Sequence, residues 1–145
     1  MTELVAEAEI ARPAAAVWAL LADYDNDPRW RHGVHTMGPD PAGQVRVGTR
    51  TAEILRFAGR TYRNSGEVIA VDPGHSFRWR TTSGVTATGT RTVEPRGDHR
   101  CAVRLHVRIT PAGPDRLVLL LFGGRLRRNL LRDLECFRAL AENSA

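Results

Sequence analysis

The sequence predicts an α+β fold in which one strand leads into two short helices, about six further strands follow in antiparallel succession, and a long helix ends the chain. Three observations carry this. Apolar and polar residues alternate with a period of two at residues 4–10 and again at 101–109. The stretch from His35 to Ile109 is cut into short extended runs by turn residues. From about Asp115 to Glu142 the apolar residues recur at helical spacing. At 145 residues the chain has the length of one ordinary domain, so residues 1–145 are expected to form a single unit with its own core or cavity.

The first strand puts Leu4, Ala6, Ala8 and Ile10 on one face and Val5, Glu7 and Glu9 on the other, as a half-buried strand requires. Pro13 then suits the first turn of a helix over about 13–22, because its missing N–H has no partner to lose there. Val17, Leu20 and Leu21 give that helix its apolar side, with Trp18 beside them. Asp23 to Pro28 reads as a turn with Asp27 as N-cap and Pro28 as first residue of a second short helix carrying Trp30. Breaks are expected at Gly38 to Gly43, Ala58-Gly59, Asp72-Pro73-Gly74, Ser83-Gly84 and Pro95 to Asp98. In the last strand Cys101, Val103, Leu105, Val107 and Ile109 take the core side. Pro111, Gly113 and Pro114 break the chain before the long helix, whose stripe is Leu126, Leu130, Leu134, Phe137 and Ala141. Gly123-Gly124 inside it implies a kink or a close approach.

Composition excludes several classes. Apolar residues make up 42% of the chain, too many for disorder, and the longest apolar run, Leu117 to Phe122, falls far short of the ~20 residues that span a bilayer. No basic segment followed by an apolar one opens the chain, and two cysteines do not make a disulfide framework, so a cytoplasmic setting is expected. Cys101 and Cys136 fall on apolar stripes and read as small core residues. No metal site is expected: His32 and His35 lack an HExxH, a CxxC or a carboxylate pair beside them. Nor is there a nucleophile elbow or a phosphate-binding glycine loop. Charge is +5, from 21 basic residues, all arginine, against 16 acidic ones. Arg78, Arg80, Arg104 and Arg108 alternate outward on strands, which fits a GC-rich coding sequence better than a nucleic-acid surface, for which no motif is present.

The order of elements and several phrases resemble the START-like, Bet v 1-like superfamily, in particular the SRPBCC group that includes bacterial polyketide cyclases and dehydrases. The phrases are Ile10-Ala-Arg-Pro13 leading into Val17-Trp18-Ala-Leu20-Leu21-Ala-Asp23-Tyr24, then Asp27-Pro-Arg-Trp30-Arg-His-Gly-Val34, Val47-Gly48-Thr49 and Val71-Asp-Pro73. The resemblance implies a helix-grip fold, a curved seven-stranded antiparallel sheet wrapped around the C-terminal helix with an apolar pocket between them. It also implies a small hydrophobic ligand (a polyketide, a lipid or an aromatic) and no cofactor.

Alternation sets the candidate site. Leu55 and Phe57 fix the inner face of their strand, which places Glu53 there with Thr49 and Thr51, and Val93 does the same for Arg91. A buried Glu53 and Arg91 would pair if within reach and leave a polar spot in an apolar pocket. Glu53, Arg91 and Tyr62 are therefore the candidate acid, base or oxyanion partners of an aldol-type cyclisation. Tyr24 and Trp30, near the pocket mouth, Phe57, Trp79, Phe122 and Asn129 are the candidate ligand contacts, with Trp18, Phe77 and Phe137 as ordinary core. Arg125, Arg128 and Arg132 form one basic stripe on the long helix that suits an acidic partner such as an acyl carrier protein. Three functions compete: an aromatase/cyclase or related lyase, a non-catalytic lipid carrier or sensor, and an interaction module like the chaperone-ATPase activators of the same superfamily. Several convergent polar groups would mark the enzyme, a nearly apolar pocket the carrier, and an exposed patch with little pocket the module.

Overall fold

A computed structural model describes residues 2–144, apart from the side chains of Asp115 and Leu119. Strand β1 (Thr2–Ile10) is followed by α1 (Ala14–Leu21), a 3-10 turn over Tyr24–Asn26 and α2 (Asp27–Trp30). Then come β2 (Val34–Asp40), β3 (Arg50–Phe57), β4 (Arg60–Asp72), β5 (Ser76–Ser83), β6 (Ala87–Pro95), β7 (Cys101–Ile109) and the long helix α3 (Pro114–Asn143). All seven strands form one antiparallel sheet in the order β1-β7-β6-β5-β4-β3-β2. The two edge strands are consecutive in sequence. The connection carrying α1 and α2 must therefore cross the width of the sheet, and it does so over the concave face. Register shifts at Ser65/Gly66 and Val68/Ala70 bend the 13-residue β4. The architecture is the helix-grip fold.

The core sits where α3 meets β1, α1 and α2. Leu134, Phe137 and Ala141 bury themselves against Ile10, Val17, Leu21, Trp30 and Val103. Phe137 is fully buried and stands edge-on to Trp30 with ring centroids 5.2 Å apart, so each ring contributes roughly 2–3 kcal/mol of burial. A second cluster joins Ala22, Tyr24, Val45, Val68 and Phe77. The alternation in β1 holds, with Leu4, Ala6 and Ile10 buried and Val5, Glu7 and Glu9 exposed.

Several local expectations change. Pro13 is extended and caps α1 from outside, so the helix starts at Ala14. Asp27 is not an N-cap: Asn26 holds that position, and the Asp23 side chain, which accepts from the Asp25 N–H, caps the turn before it. Strand β2 continues through Gly38 to Asp40, and the break falls after it. Helix α3 runs through Gly123-Gly124 without interruption, and nothing lies within 4 Å of where a Cβ at Gly123 would stand, so no close approach requires that glycine. Cys101 is buried as expected, but Cys136 is exposed.

Candidate functional site

A curved sheet and a straight helix can touch along only part of their length. Where they separate, a cavity of about 240 Å³ opens between the concave face and the first two thirds of α3. Its walls follow from alternation: Thr51, Glu53, Leu55 and Phe57 share the inner face of β3, and Tyr62 and Asn64 share that of β4. From β5, Trp79 crosses the sheet. Its indole lies flat over Gly89, its partner on β6, so closely that a Cβ at Gly89 would stand 2.3 Å from Trp79 Cζ2. Only glycine fits beneath that ring. Helix α3 supplies Val118, Leu126, Asn129, Leu130 and Asp133.

Eight of the nine residues singled out from sequence line this cavity: Glu53, Arg91, Tyr62, Tyr24, Trp30, Phe57, Trp79 and Asn129. Phe122 does not. It is 36% exposed and packs edge-on behind Phe57, with centroids 6.4 Å apart. Tyr24 and Trp30 line the closed end and not the mouth, at 5% and 3% exposure. Burial pushes the Tyr24 hydroxyl well above its ordinary pKa, so it remains a neutral phenol. The Trp30 Nε1 is buried without a hydrogen-bond partner among the described residues.

The expected Glu53–Arg91 pair does not form. Asp27, fully buried, takes Arg91 as a bidentate partner, with Nη1 to Oδ1 at 3.0 Å and Nη2 to Oδ2 at 2.7 Å. Arg91 Nη1 also donates to the Leu21 carbonyl at 3.1 Å, and its guanidinium lies over the rings of Tyr24, Trp30 and Phe77. Arg31, beyond the end of α2, joins the two carboxylates that sequence left apart, donating to Asp27 Oδ2 at 3.1 Å and to Glu53 Oε2 at 3.0 Å. Asn64 Nδ2 donates to the other Glu53 oxygen at 3.1 Å, and its Oδ1 accepts from the Val85 N–H at 3.0 Å. The result is a relay, Arg91–Asp27–Arg31–Glu53–Asn64, that runs from the closed end onto the cavity wall. Burial works against both guanidinium charges, but the facing carboxylates outweigh it and raise Arg31 and Arg91 above the ordinary arginine value.

Asp133 completes the wall from the helix side. It is 8% exposed and accepts the His32 backbone N–H at 2.6 Å. Burial raises its carboxyl to about 6, against the lowering effects of that hydrogen bond and of the Arg31, His32 and Arg132 charges. Sequence reading missed Asp27 as an ion-pair partner, and Arg31, Asn64 and Asp133 altogether. Two of these carried a signal. Asn64 is two residues from Tyr62 on one strand, and Asp133 is one helical turn from Asn129. Among the described residues no group of three or more His, Cys, Asp or Glu is placed to hold a metal ion, and no helix is long and apolar enough to cross a membrane.

Known proteins can be set against this geometry. The fold is similar to that of TTHA0849 from Thermus thermophilus, with a TM-score of 0.81 and 21% identity over 99% of this chain and 100% of that one. It is similar to the Zhui aromatase/cyclase from Streptomyces sp. R1128, with a TM-score of 0.80 and 16% identity over 97% and 93% of the two chains. A START superfamily protein from Mycobacterium smegmatis matches with a TM-score of 0.69 and 14% identity, over 92% and 94%. No curated protein matches the sequence. Residues 1–142 match the family described as polyketide cyclase/dehydrase and lipid transport. With nearly its whole length matched and the helix-grip fold in place, this chain belongs to the polyketide cyclase/dehydrase and lipid transport family.

Proposed function

We propose that the chain is a single-domain, cytoplasmic protein that binds a small hydrophobic molecule of the polyketide or aromatic class in its cavity and catalyses an aromatase/cyclase-type ring closure there. The observation that carries this is the convergence of Glu53, Asn64, Tyr62, Asn129 and Asp133 on one cavity whose wall is mainly apolar. A carrier needs no such set, and a pure interaction module needs no cavity. Asp133 is the proton-transfer group of this reading. With its carboxyl near 6 it both accepts and returns a proton around neutrality: it takes one from the carbon between two ketones, returns it to the alkoxide formed when that carbon attacks a further ketone, then takes the carbon's second proton and gives it to the hydroxyl that leaves as water. Tyr62 and Asn129 orient the carbonyl under attack. Glu53 is held at both oxygens, and the Arg91 fork is occupied by Asp27, so these two act as positioning residues for Arg31 and the wall around it. An acyl carrier protein would deliver the substrate, a role suited to the exposed arginines of α3.

The test is native mass spectrometry of the protein purified from its own host. A co-purifying hydrophobe is expected, and its mass identifies the ligand class. A clean apo mass, together with no uptake of any added polyketide or lipid, would sink the cavity reading.

A further inference from the structure

Beside the cavity lies a second concavity of about 400 Å³ with the opposite character. Arg125, Arg128 and Arg132 from α3 and Arg56 from β3 line it, and no carboxylate does. The three helix arginines are spaced three, four and seven residues apart, which puts them along one side of α3, facing the strand that bears Arg56. None of the four takes part in an ion pair among the described residues. Arg31, Arg80, Arg91, Arg96, Arg100, Arg108 and Arg138 each face a carboxylate, whereas these four are gathered around one hollow with no carboxylate in its lining. Four like charges around one hollow repel one another, and the one carboxylate beside them, Asp133 next to Arg132, faces the other cavity and offsets only part of that repulsion. A guanidinium presents paired donors that match phosphate geometry.

The hollow also adjoins the site above. His32, Arg56, Phe57 and Asn129 line both the apolar cavity and this basic cleft. A single ligand can therefore have an apolar body on one side of these residues and an anion on the other.

We propose that the Arg56/Arg125/Arg128/Arg132 cleft is a phosphate site, which holds the anionic head of an amphiphile whose apolar body occupies the adjoining cavity. It rests on the cavity reading above and adds the chemistry of the ligand's polar end. The phosphate can come from a phospholipid or from the phosphodiester of a carrier protein's prosthetic arm; the cleft chemistry is the same.

Isothermal titration calorimetry at low salt with decyl phosphate and 1-decanol tests it. Decyl phosphate is expected to bind roughly tenfold more tightly or better, with the gap closing as salt rises. The double variant Arg125→Gln/Arg128→Gln, altered at two exposed helix positions, is expected to bring decyl phosphate to within about twofold of decanol while leaving decanol unchanged. Equal binding of the two probes by the wild type overturns the phosphate site, as does an equal loss of both in the variant. If decanol itself fails to bind, the cavity reading falls too; decanol binding without phosphate preference sinks the cleft alone. Decanoyl lysophosphatidate and decanoyl-4′-phosphopantetheine separate the two sources: tighter binding of one than of decanol supports the site and names its source, and no gain for either overturns it.

Discussion

The two halves of α3 both carry apolar stripes and use them differently. From Arg132 to Asn143 the inward residues Leu134, Phe137 and Ala141 meet β1, α1 and α2 and are buried to within 2% of completeness. From Pro114 to Leu131 the inward residues Val118, Leu126 and Leu130 meet a cavity, and Leu117, Leu120 and Leu121 stand 60%, 81% and 66% exposed on the other side. A helix that is apolar on both faces is ordinarily enclosed; here one face opens on a void and the other on solvent. What a stripe does depends on what opposes it. The sheet closes on the second half of the helix and curves away from the first, so stability concentrates at one end and open space at the other.

If the closed end holds the stability, the buried carboxylate there should be the most sensitive position in the relay. Asp27→Ala leaves the Arg91 guanidinium buried with the Leu21 carbonyl and three aromatic faces as its remaining partners, and removes one of the two carboxylates on Arg31. An uncompensated buried charge of this kind costs about 3–5 kcal/mol. Urea unfolding measures it, and a loss under about 1 kcal/mol would show that the closed end does not depend on the pair.

The same division explains what could be read from the chain alone. Element order was legible because each element has a period: β1 alternates cleanly, β7 does so less strictly because Ala102 on its outer face is buried as well, and the Leu134/Phe137/Ala141 stripe falls on the buried side of α3. Inner-face placement of Glu53 and Arg91 followed from the same rule. Their partners did not, because Asp27 and Arg31 lie in a four-residue helix and just beyond it, too short for any periodicity to say which way a side chain points. Asp27 followed by Pro28 has the form of a cap, and only the approach of Arg91 from β6, 64 residues away, turns it inward. Cys136 shows the converse limit. It is next to the buried stripe in sequence, yet one residue of helical rotation carries it to solvent.

At the junction of the two halves, Asp133 should show a cost of function to stability. Its carboxyl is raised from 3.8 to about 6 in the folded state, where Arg31 and His32 face it from the end of α2 and Arg132 adjoins it on α3. The folded protein therefore binds this proton more tightly than the unfolded chain, and the contribution is fully present below about pH 4 and lost as pH rises through about 6. Asp133→Asn abolishes the titration while keeping an oxygen for the His32 N–H. At pH 7 it should stabilise the protein by on the order of 2 kcal/mol and at pH 4 leave it unchanged, measured by urea unfolding at the two pH values. In the proposed reaction the same change should remove turnover. A variant equally stable to wild type at both pH values would place the carboxyl in water and out of the cavity wall.

The smallest effect belongs to the open half and is the sharpest check on the contrast. Leu120 is 81% exposed on the outer face of α3, so Leu120→Ser removes almost no buried area, and the expected change in stability is within about 0.5 kcal/mol. Leu134→Ala, fourteen residues on along the same helix, should cost about 2–5 kcal/mol. Unfolding is measured at two protein concentrations tenfold apart. If Leu120→Ser destabilises by more than about 1 kcal/mol, and does so only at the higher concentration, a second copy of the chain covers the outer leucines in solution. The difference between the two halves would then be one of assembly, with the first half of α3 closed by a neighbour as the second is closed by its own sheet.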